Sequence, residues 1–373
     1  MGIQVGLPVA LGGKETNIQL EINQTSVEMV EMRAPFLPSE WYEQSGVQLT
    51  WPHAGTDWKR MLTDVQDCFT KIAYQIAERE KVLIVAPNAH DVRKQLIAGN
   101  VNMENVRFME CATNDTWARD HGLISVVDTT ETKLLDFTFN GWGLKYPSDL
   151  DNQITRHTFD AGLLHGRYVN KLGFVLEGGS IDCDGAGTLL TTETCLLSPN
   201  RNDELNKTDI EEYLRSAFNL QRILWLKHGF LSGDDTDSHI DTLARFCPNN
   251  TIVYTICTDE HDEHYKELKQ MEEELKSFRT LTGESYRLIP LPLPHPISLE
   301  GYRLPATYAN FLVINGAVLY PTYNQPDKDN EARDILQTAF PHQDLFGIDC
   351  RSLIKQHGSL HCVTMQFPKN VLI

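Results

Sequence analysis

The sequence predicts an α/β fold of five ββαβ modules closed into a pseudo-symmetric propeller. Three observations carry that expectation. A layout of apolar strand, tight turn, apolar strand, amphipathic helix and strand recurs without recurring identity. Its hairpins begin near residues 123, 180, 242 and 311, about 57 to 69 residues apart. The two ends of the chain hold the halves of one further copy. This spacing exceeds that of ordinary solenoid repeats and suits propeller-like modules that each bury a face on the next.

The module split between the chain ends comes first. Residues 47–51 give one strand and 362–367 its partner. Met61, Leu62, Val65, Phe69, Ile72 and Ile76 mark one face of the following helix, and residues 82–86 complete the unit. Residues 123–127 and 133–137 form the next hairpin. The clearest copy has strands at 180–183 and 188–192 around Asp184-Gly-Ala-Gly187, a helix near 208–218 with Ile210, Leu214 and Phe218 four apart, and a strand at 222–226. Residues 242–246 and 251–256 precede a helix carrying Tyr265, Leu268, Met271, Leu275 and Phe278, then a strand at 286–289. In the last copy Asn315-Gly316 joins 311–314 to 317–320, followed by a helix with Ala332, Ile335, Leu336 and Phe340 and a strand at 344–348. Asn-Gly between apolar runs is a strong hairpin signal. Residues 1–32 fall outside the repeat and are expected to be an extension, with 33–373 a single catalytic domain. A two-domain, doubly wound fold is the alternative, but the chain has no Gly-x-Gly-x-x-Gly or Walker loop to support it.

Composition narrows the partners. Of 373 residues 41% are hydrophobic and 23% charged, and no apolar run approaches the length of a membrane span. A formal charge of −18 repels nucleic acid and anionic lipid and favours small cations. The first 32 residues lack the basic and apolar regions of a secretory signal, so a cytoplasmic protein is expected. The eight cysteines include no Cys-x-x-Cys pair, which argues against a zinc ribbon or a thioredoxin-like redox motif. Most should pack as reduced, buried thiols.

The repeat also gathers chemistry. Asp120, Glu177, the His239/Asp241 pair, Asn310 and Cys362 each fall at or just before the first strand of a module. Equivalent positions converge on a pseudo-axis, so residues 240 positions apart can share one site. Cys362 read alone is a structural thiol; its place in the module pattern and the availability of His239 favour a nucleophile. His361 is set aside as its partner, because neighbours in a strand face opposite ways. His239 and Asp241, two apart at a strand start, should share a face. Glu177, between Phe174-Val-Leu176 and two glycines, is expected to be partly buried against a cation. Asp120 could simply pair with Arg119. Trp117 and Trp142 belong to the core or the pocket wall, and Tyr302, Arg303 and the loop before Asn310 could cover the site.

The stretch 234–241 also invites a metal reading. An EF-hand from Asp235 would need glycine and glutamate where Ile240 and Phe246 stand, and there is no His-Glu-x-x-His for zinc. A solvated acidic loop remains the plain reading of Asp234, Asp235 and Asp237.

Six motifs in this order resemble the agmatine deiminase family, in the bacterial peptidylarginine-deiminase-like branch of the guanidine-modifying (pentein) superfamily. They are Asn114-Asp-Thr-Trp-Ala-Arg-Asp120, Leu176-Glu-Gly-Gly-Ser180, Thr191-Thr-Glu-Thr-Cys-Leu-Leu197 with Asn200-Arg-Asn202, Asp235-Thr-Asp-Ser-His-Ile-Asp241, Pro305-Ala-Thr-Tyr-Ala-Asn-Phe311 and Gly358-Ser-Leu-His-Cys362. The resemblance spans about residues 33 to 370. It implies a five-module propeller, Cys362 as nucleophile, His239 as general acid and base, and Asp120, Glu177 and Asp241 as carboxylates for a guanidinium. Trp117, Asp115 and Asn310 are the expected substrate-binding residues. Ser238 stands where a glycine is frequent, His121 follows the Arg-Asp, and residues 140–146 are shorter than in some relatives.

The reaction so implied is hydrolysis of agmatine to N-carbamoylputrescine and ammonia, with no metal or organic cofactor. The expected partner is a small cationic guanidine, with neither nucleic acid nor membrane; oligomeric state is left open, a homo-oligomer included. Free or peptidyl arginine is the alternative substrate. Two readings from other classes are a zinc hydrolase using the His239 loop and a non-catalytic guanidine-binding module.

Overall fold

In the computed structural model, which describes residues 35–373, each predicted module is a separate small sheet with the same wiring. An antiparallel hairpin is followed by a helix and a third strand that returns parallel to the second. Ile181–Cys183 pairs antiparallel with Thr188–Thr192, which pairs parallel with Arg222–Leu226. The same pattern joins Ile124–Val126, Lys133–Thr138 and Arg167–Val175. It recurs in Ala244–Cys247, Thr251–Ile256 and Arg287–Pro292, and in Leu312–Ile314, Ala317–Thr322 and Asp344–Asp349.

The remaining sheet is the one assembled from both chain ends. Its strand order is Thr364–Pro368, Gln44–Thr50, Lys81–Ala86 and Val106–Glu110. The fourth strand, and the helix Ala89–Ala98 before it, extend the expected unit. They were not evident because Val106–Glu110 buries only its first residue and shows no clear alternation. Arg167–Val175, which completes the second module, likewise buries a single residue, Phe174.

Local chemistry sets the element boundaries. The helix Leu62–Ala77 buries Val65, Phe69, Ile72 and Ile76 on one face. Each large side chain buried this way contributes about 1.5 to 3 kcal/mol. Asn206 starts the helix Lys207–Phe218 by accepting from the backbone N–H groups of Thr208 and Asp209 while Asp209 reciprocates. Asn219 ends it in the left-handed region at φ 57°. At the Asn315-Gly316 turn, Ile314 pairs with Ala317, and Gly316 takes φ 76°. The Asn315 side chain then binds the Gln44 backbone at both ends, joining the last module to the split one.

Those two modules share the largest apolar core, which runs from Val47, Phe69 and Ile84 to Phe311, Leu319 and Phe340. The expected extension over residues 1–32 lies outside the described residues. A further hairpin, Ser298–Leu299 with Tyr302–Arg303, stands apart from the modules. Tyr302 is exposed and Arg303 pairs with Asp262.

Candidate active site

The hairpin starts hold the candidate residues at corresponding places. Asp120 lies on the single turn Ala118–His121 before Ile124–Val126. Glu177 caps the 3-10 turn Gly178–Ser180 before Ile181–Cys183, and His239 caps Ile240–Thr242 before Ala244–Cys247. Asn310 precedes Leu312–Ile314, and Cys362 precedes Thr364–Pro368. His239 therefore precedes, and Asp241 lies in, a 3-10 turn and not a strand. Both still border one spot, since a Cβ at Gly179 would lie 2.6 Å from His239 Nδ1 and 3.2 Å from Asp241 Oδ2.

Cys362, on the split module, is held by Asn310 of the last one. Asn310 Oδ1 accepts from the backbone N–H of His361 at 2.8 Å and of Cys362 at 3.3 Å, and lies 3.4 Å from the Cys362 thiol. Asn310 Nδ2 donates to the Asp241 carbonyl at 3.3 Å. The Cys362 carbonyl accepts from the Arg119 N–H at 3.1 Å, tying the loop to the turn that carries Asp120. Asp241 Oδ2 is 3.7 Å from the thiol.

Asp120 is occupied by other partners than Arg119. Its Oδ2 accepts from Trp142 Nε1 and its Oδ1 from Gly179 N, both at 3.0 Å. Oδ1 also lies 3.7 Å from His239 Nδ1. Arg119 instead faces Glu40 and the side chain of Gln366. Gly179 closes this inner cluster: a Cβ there would lie 2.6 Å from His239 Nδ1, 2.8 Å from Asp120 Oδ1 and 3.2 Å from Asp241 Oδ2. The absence of a side chain at 179 lets the three groups converge.

Glu177 has the cationic partner expected of it. Arg201 Nε donates to both its oxygens at 2.9 and 3.0 Å, with the side chains of both residues fully buried. The same guanidinium donates to Asp237 Oδ2 at 2.6 Å and to the Thr236 carbonyl at 2.9 Å, fixing the loop that leads to His239. Asp237 is thus an ion-pair partner, and Asp234 bonds the Thr236 and Ser238 backbone. Neither belongs to a freely solvated loop.

A pocket opens above Cys362 and Asp120. Trp117, Trp142, Tyr146 and Gly358 wall it, with Asp57, Asp115, Asp235, Thr236, Gln356 and His357 completing the lining. Tyr302 and Arg303 are not part of it. Asp115 holds two indoles, accepting from Trp58 Nε1 at 2.8 Å and Trp117 Nε1 at 3.0 Å. Trp117 packs against Gly358, where a Cβ would come within 2.1 Å of its ring. Asn310 is absent from the lining; its polar groups serve the Cys362 loop. Glu177, His239 and Asp241 lie just behind the floor, fully buried.

Their electrostatics are those of a site awaiting charge. Burial, then the Asp241 and Asp120 carboxylates, pushes the Cys362 thiol well above its ordinary value. Burial lowers His239 to about 3, so its imidazole is neutral. Asp120 is pushed up by burial and by Asp241 and Glu177. Burial would also raise Asp241, but His361, His239 and Arg245 together hold that carboxyl below its usual range. Among the described residues, both His239 ring nitrogens and Asp241 Oδ1 are buried without a hydrogen-bond partner. Such atoms are expensive unless something binds them.

Among the described residues one donor set could grip a metal: Glu177, Cys195 and His239, whose ligand atoms lie within 4.8 Å of one another. Arg201 already engages both Glu177 oxygens, so an ion there would have to compete with a guanidinium. Cys195 and Arg201 both occur in one of the six sequence motifs, with no part assigned to either; Glu40 gave no sequence signal. His361 was set aside on strand geometry, yet residues 361 and 362 lie in a turn, and its ring reaches Asp241.

Comparison with known proteins places these features in context. The Porphyromonas-type peptidyl-arginine deiminase profile matches residues 36–368. An agmatine deiminase of Ectopseudomonas mendocina is 33% identical over 358 residues, which cover 89% of this chain and 95% of that protein. The agmatine deiminase of C. jejuni, solved as a Cys-to-Ser variant with substrate bound, is 42% identical with TM-score 0.83, covering 90% of this chain and 97% of that one. A Porphyromonas gingivalis structure assigned provisionally as an arginine deiminase is 48% identical with TM-score 0.87, covering 91% of this chain and all of that one.

Proposed function

From the premise that this chain belongs to the Porphyromonas-type peptidyl-arginine deiminase family, we propose that it hydrolyses agmatine to N-carbamoylputrescine and ammonia, using Cys362, His239, Asp120, Glu177 and Asp241. The chain is a pentein-fold hydrolase of the agmatine deiminase type, acting on C–N bonds of a guanidino group. Its substrate is the part inferred.

One observation carries the choice of agmatine. Asp57, Asp115, Asp120 and Asp235 line the pocket with no lysine or arginine among them. Agmatine is cationic at both ends, so the rim suits its distal ammonium as the floor suits its guanidinium. The α-carboxylate of free arginine would meet carboxylates instead. The nearby Lys145 is engaged with Asp237 at 2.8 Å and with the Asp235 carbonyl. Trp117 and Trp142 offer aromatic surface to the aliphatic chain and the guanidinium plane. The 48% identity to the Porphyromonas gingivalis protein supports the runner-up, free or peptidyl arginine.

A guanidinium carbon is a poor electrophile, since its three nitrogens share the charge. Carboxylates that hold the cation keep it planar, charged and oriented. With the thiol protonated and His239 neutral at rest, the imidazole takes the Cys362 proton as sulfur bonds to the guanidinium carbon. The same proton then goes to the departing nitrogen as the C–N bond breaks and ammonia leaves. Neutral His239 next draws a proton from water. The hydroxide adds to the amidino-thioether carbon; the C–S bond then breaks as the C=O of the product forms, the proton on His239 returns to the Cys362 sulfur, and the remaining hydroxyl proton is released and leaves with the ammonia as ammonium.

We read residues 33–373 as one catalytic unit working in the cytoplasm; no helix among the described residues is long and apolar enough to cross a membrane. The test is ammonia release from agmatine, arginine and an arginine peptide, with and without Cys362→Ala. Agmatine should be the best substrate and the substitution should abolish release. Activity surviving Cys362→Ala would sink the mechanism, and activity on the peptide alone would sink the substrate. A zinc hydrolase would instead lose activity to a chelator.

A further inference from the structure

We propose that His361 is a positioning residue for the reaction: bridging Glu40 and Asp241, it fixes which way the Asp241 carboxylate faces and so how the guanidinium is held. The inference rests on Asp241 binding substrate as proposed above. It concerns a histidine that neither touches the reacting atoms nor belongs to the acid–base pair.

The bridge is direct on both sides. His361 Nδ1 lies 2.7 Å from Asp241 Oδ2, and Nε2 lies 2.5 Å from Glu40 Oε1. The ring is 1% exposed, so no water competes for either nitrogen. Glu40 is anchored in turn by Arg245 and by Arg119, the latter 3.4 Å away. Burial would raise Glu40, but Arg245, His361 and Arg119 hold it well below the usual range.

Two contacts of hydrogen-bond length need two protons on the bridge, held either as an imidazolium between two carboxylates or as a neutral ring beside one carboxylic acid. Burial and the Arg119 and Arg245 charges lower the His361 ring below its ordinary value, against the opposing pull of Glu40 and Asp241. In either form both ring nitrogens keep a carboxyl partner, and at least one of the two hydrogen bonds is charge-assisted.

The consequence appears at Asp241. With Oδ2 pinned, the carboxylate cannot rotate, and Oδ1 is left buried and without a partner. The Asn310 bond to the Asp241 carbonyl fixes the backbone but leaves the side-chain torsion free. His361 is therefore what determines the side chain's orientation. Because His361 is adjacent to Cys362 and its N–H shares Asn310 Oδ1 with the Cys362 N–H, the same loop sets nucleophile and carboxylate together.

Two near-isosteric substitutions separate the arms of the bridge. The amide nitrogen of His361→Asn can stand in for Nδ1 and keep a donor on Asp241; that of His361→Gln can replace Nε2 and reach Glu40 while leaving Asp241 free. Steady-state ammonia release from agmatine is measured for wild type, Cys362→Ala and both variants, with thermal melting for each. His361→Asn should keep KM within about threefold of wild type, whereas His361→Gln should raise KM by roughly 10- to 100-fold, more than it lowers kcat, for the lost charge-assisted bond. Equal KM values for the two variants, or His361→Gln within threefold of wild type, would overturn the inference and make His361 only a neutraliser of Glu40. If wild type shows no Cys362-dependent release, the parent reading fails and takes this one with it. If one variant does not fold, the KM of the other against wild type decides alone.

Discussion

The thiol of Cys362 should titrate differently with and without a bound cation. It lies 3.7 Å from Asp241 Oδ2 and also feels Asp120. At that separation and an effective dielectric constant near 20, one unit charge changes the energy of a thiolate by about 4 kcal/mol, or roughly 3 pKa units. A guanidinium seated against Cys362 reverses the sign of that interaction. The empty site should therefore hold a thiol ionising well above its ordinary range, and a saturating guanidinium that is not turned over should lower it by about 3 units. The measurement is thiolate absorbance near 240 nm against pH, taken as wild type minus Cys362→Ala so that the other seven cysteines cancel. Since a lowered pKa extends the thiolate to lower pH, the liganded curve must shift toward acid. A free-enzyme thiol that already titrates at or below its ordinary value, unchanged by ligand, would refute the reasoning.

Two further outcomes test the packing behind the floor. Gly179→Ala places a methyl 2.6 Å from His239 Nδ1 and 2.8 Å from Asp120 Oδ1; deimination should fall at least about 100-fold from misplacement of the acid–base and carboxylate groups, with little change in melting temperature. Near-normal activity would show that the cluster tolerates displacement. Arg201→Leu strands the buried Glu177 carboxylate and should cost about 3 to 5 kcal/mol in denaturant unfolding, part of which Glu177→Gln in the same chain should restore; a loss below about 1 kcal/mol would mean that Glu177 is already protonated when folded.

How far the sequence could be read depended on whether a feature repeats. The ββαβ pattern was legible because apolar spacing marks strands and helices within each copy, and because Asn315-Gly316 and Asp184-Gly-Ala-Gly187 punctuate the hairpins. Strand positions were off by a residue or three where turns intervene, as at residues 240–242, which the alternation of apolar side chains cannot distinguish from a strand start. The edge strands Arg167–Val175 and Val106–Glu110 escaped notice for the opposite reason: they bury too little to leave a pattern. The candidate site residues were visible as residue types at module starts, but their partners were not. Nothing in the sequence joins Glu40 to His361 or Arg201 to Glu177, because those pairs form across modules or loops.

That difference reflects how the ring is closed. Cys362 and Glu40 lie just before Thr364–Pro368 and Gln44–Thr50, the two strands that pair to complete the split sheet, with Leu49 opposite Thr364 and Gln48 opposite Met365. Pairing them brings the two chain ends together and at once sets Glu40 against His361 and Cys362 beside Asp241. The proposed nucleophile, the carboxylate beside it and the histidine between Asp241 and Glu40 are thus positioned by one long-range strand pairing. A change that weakens this pairing must lower activity and stability together, whereas a change at Asp120 or His239, supplied by other modules, can lower activity alone.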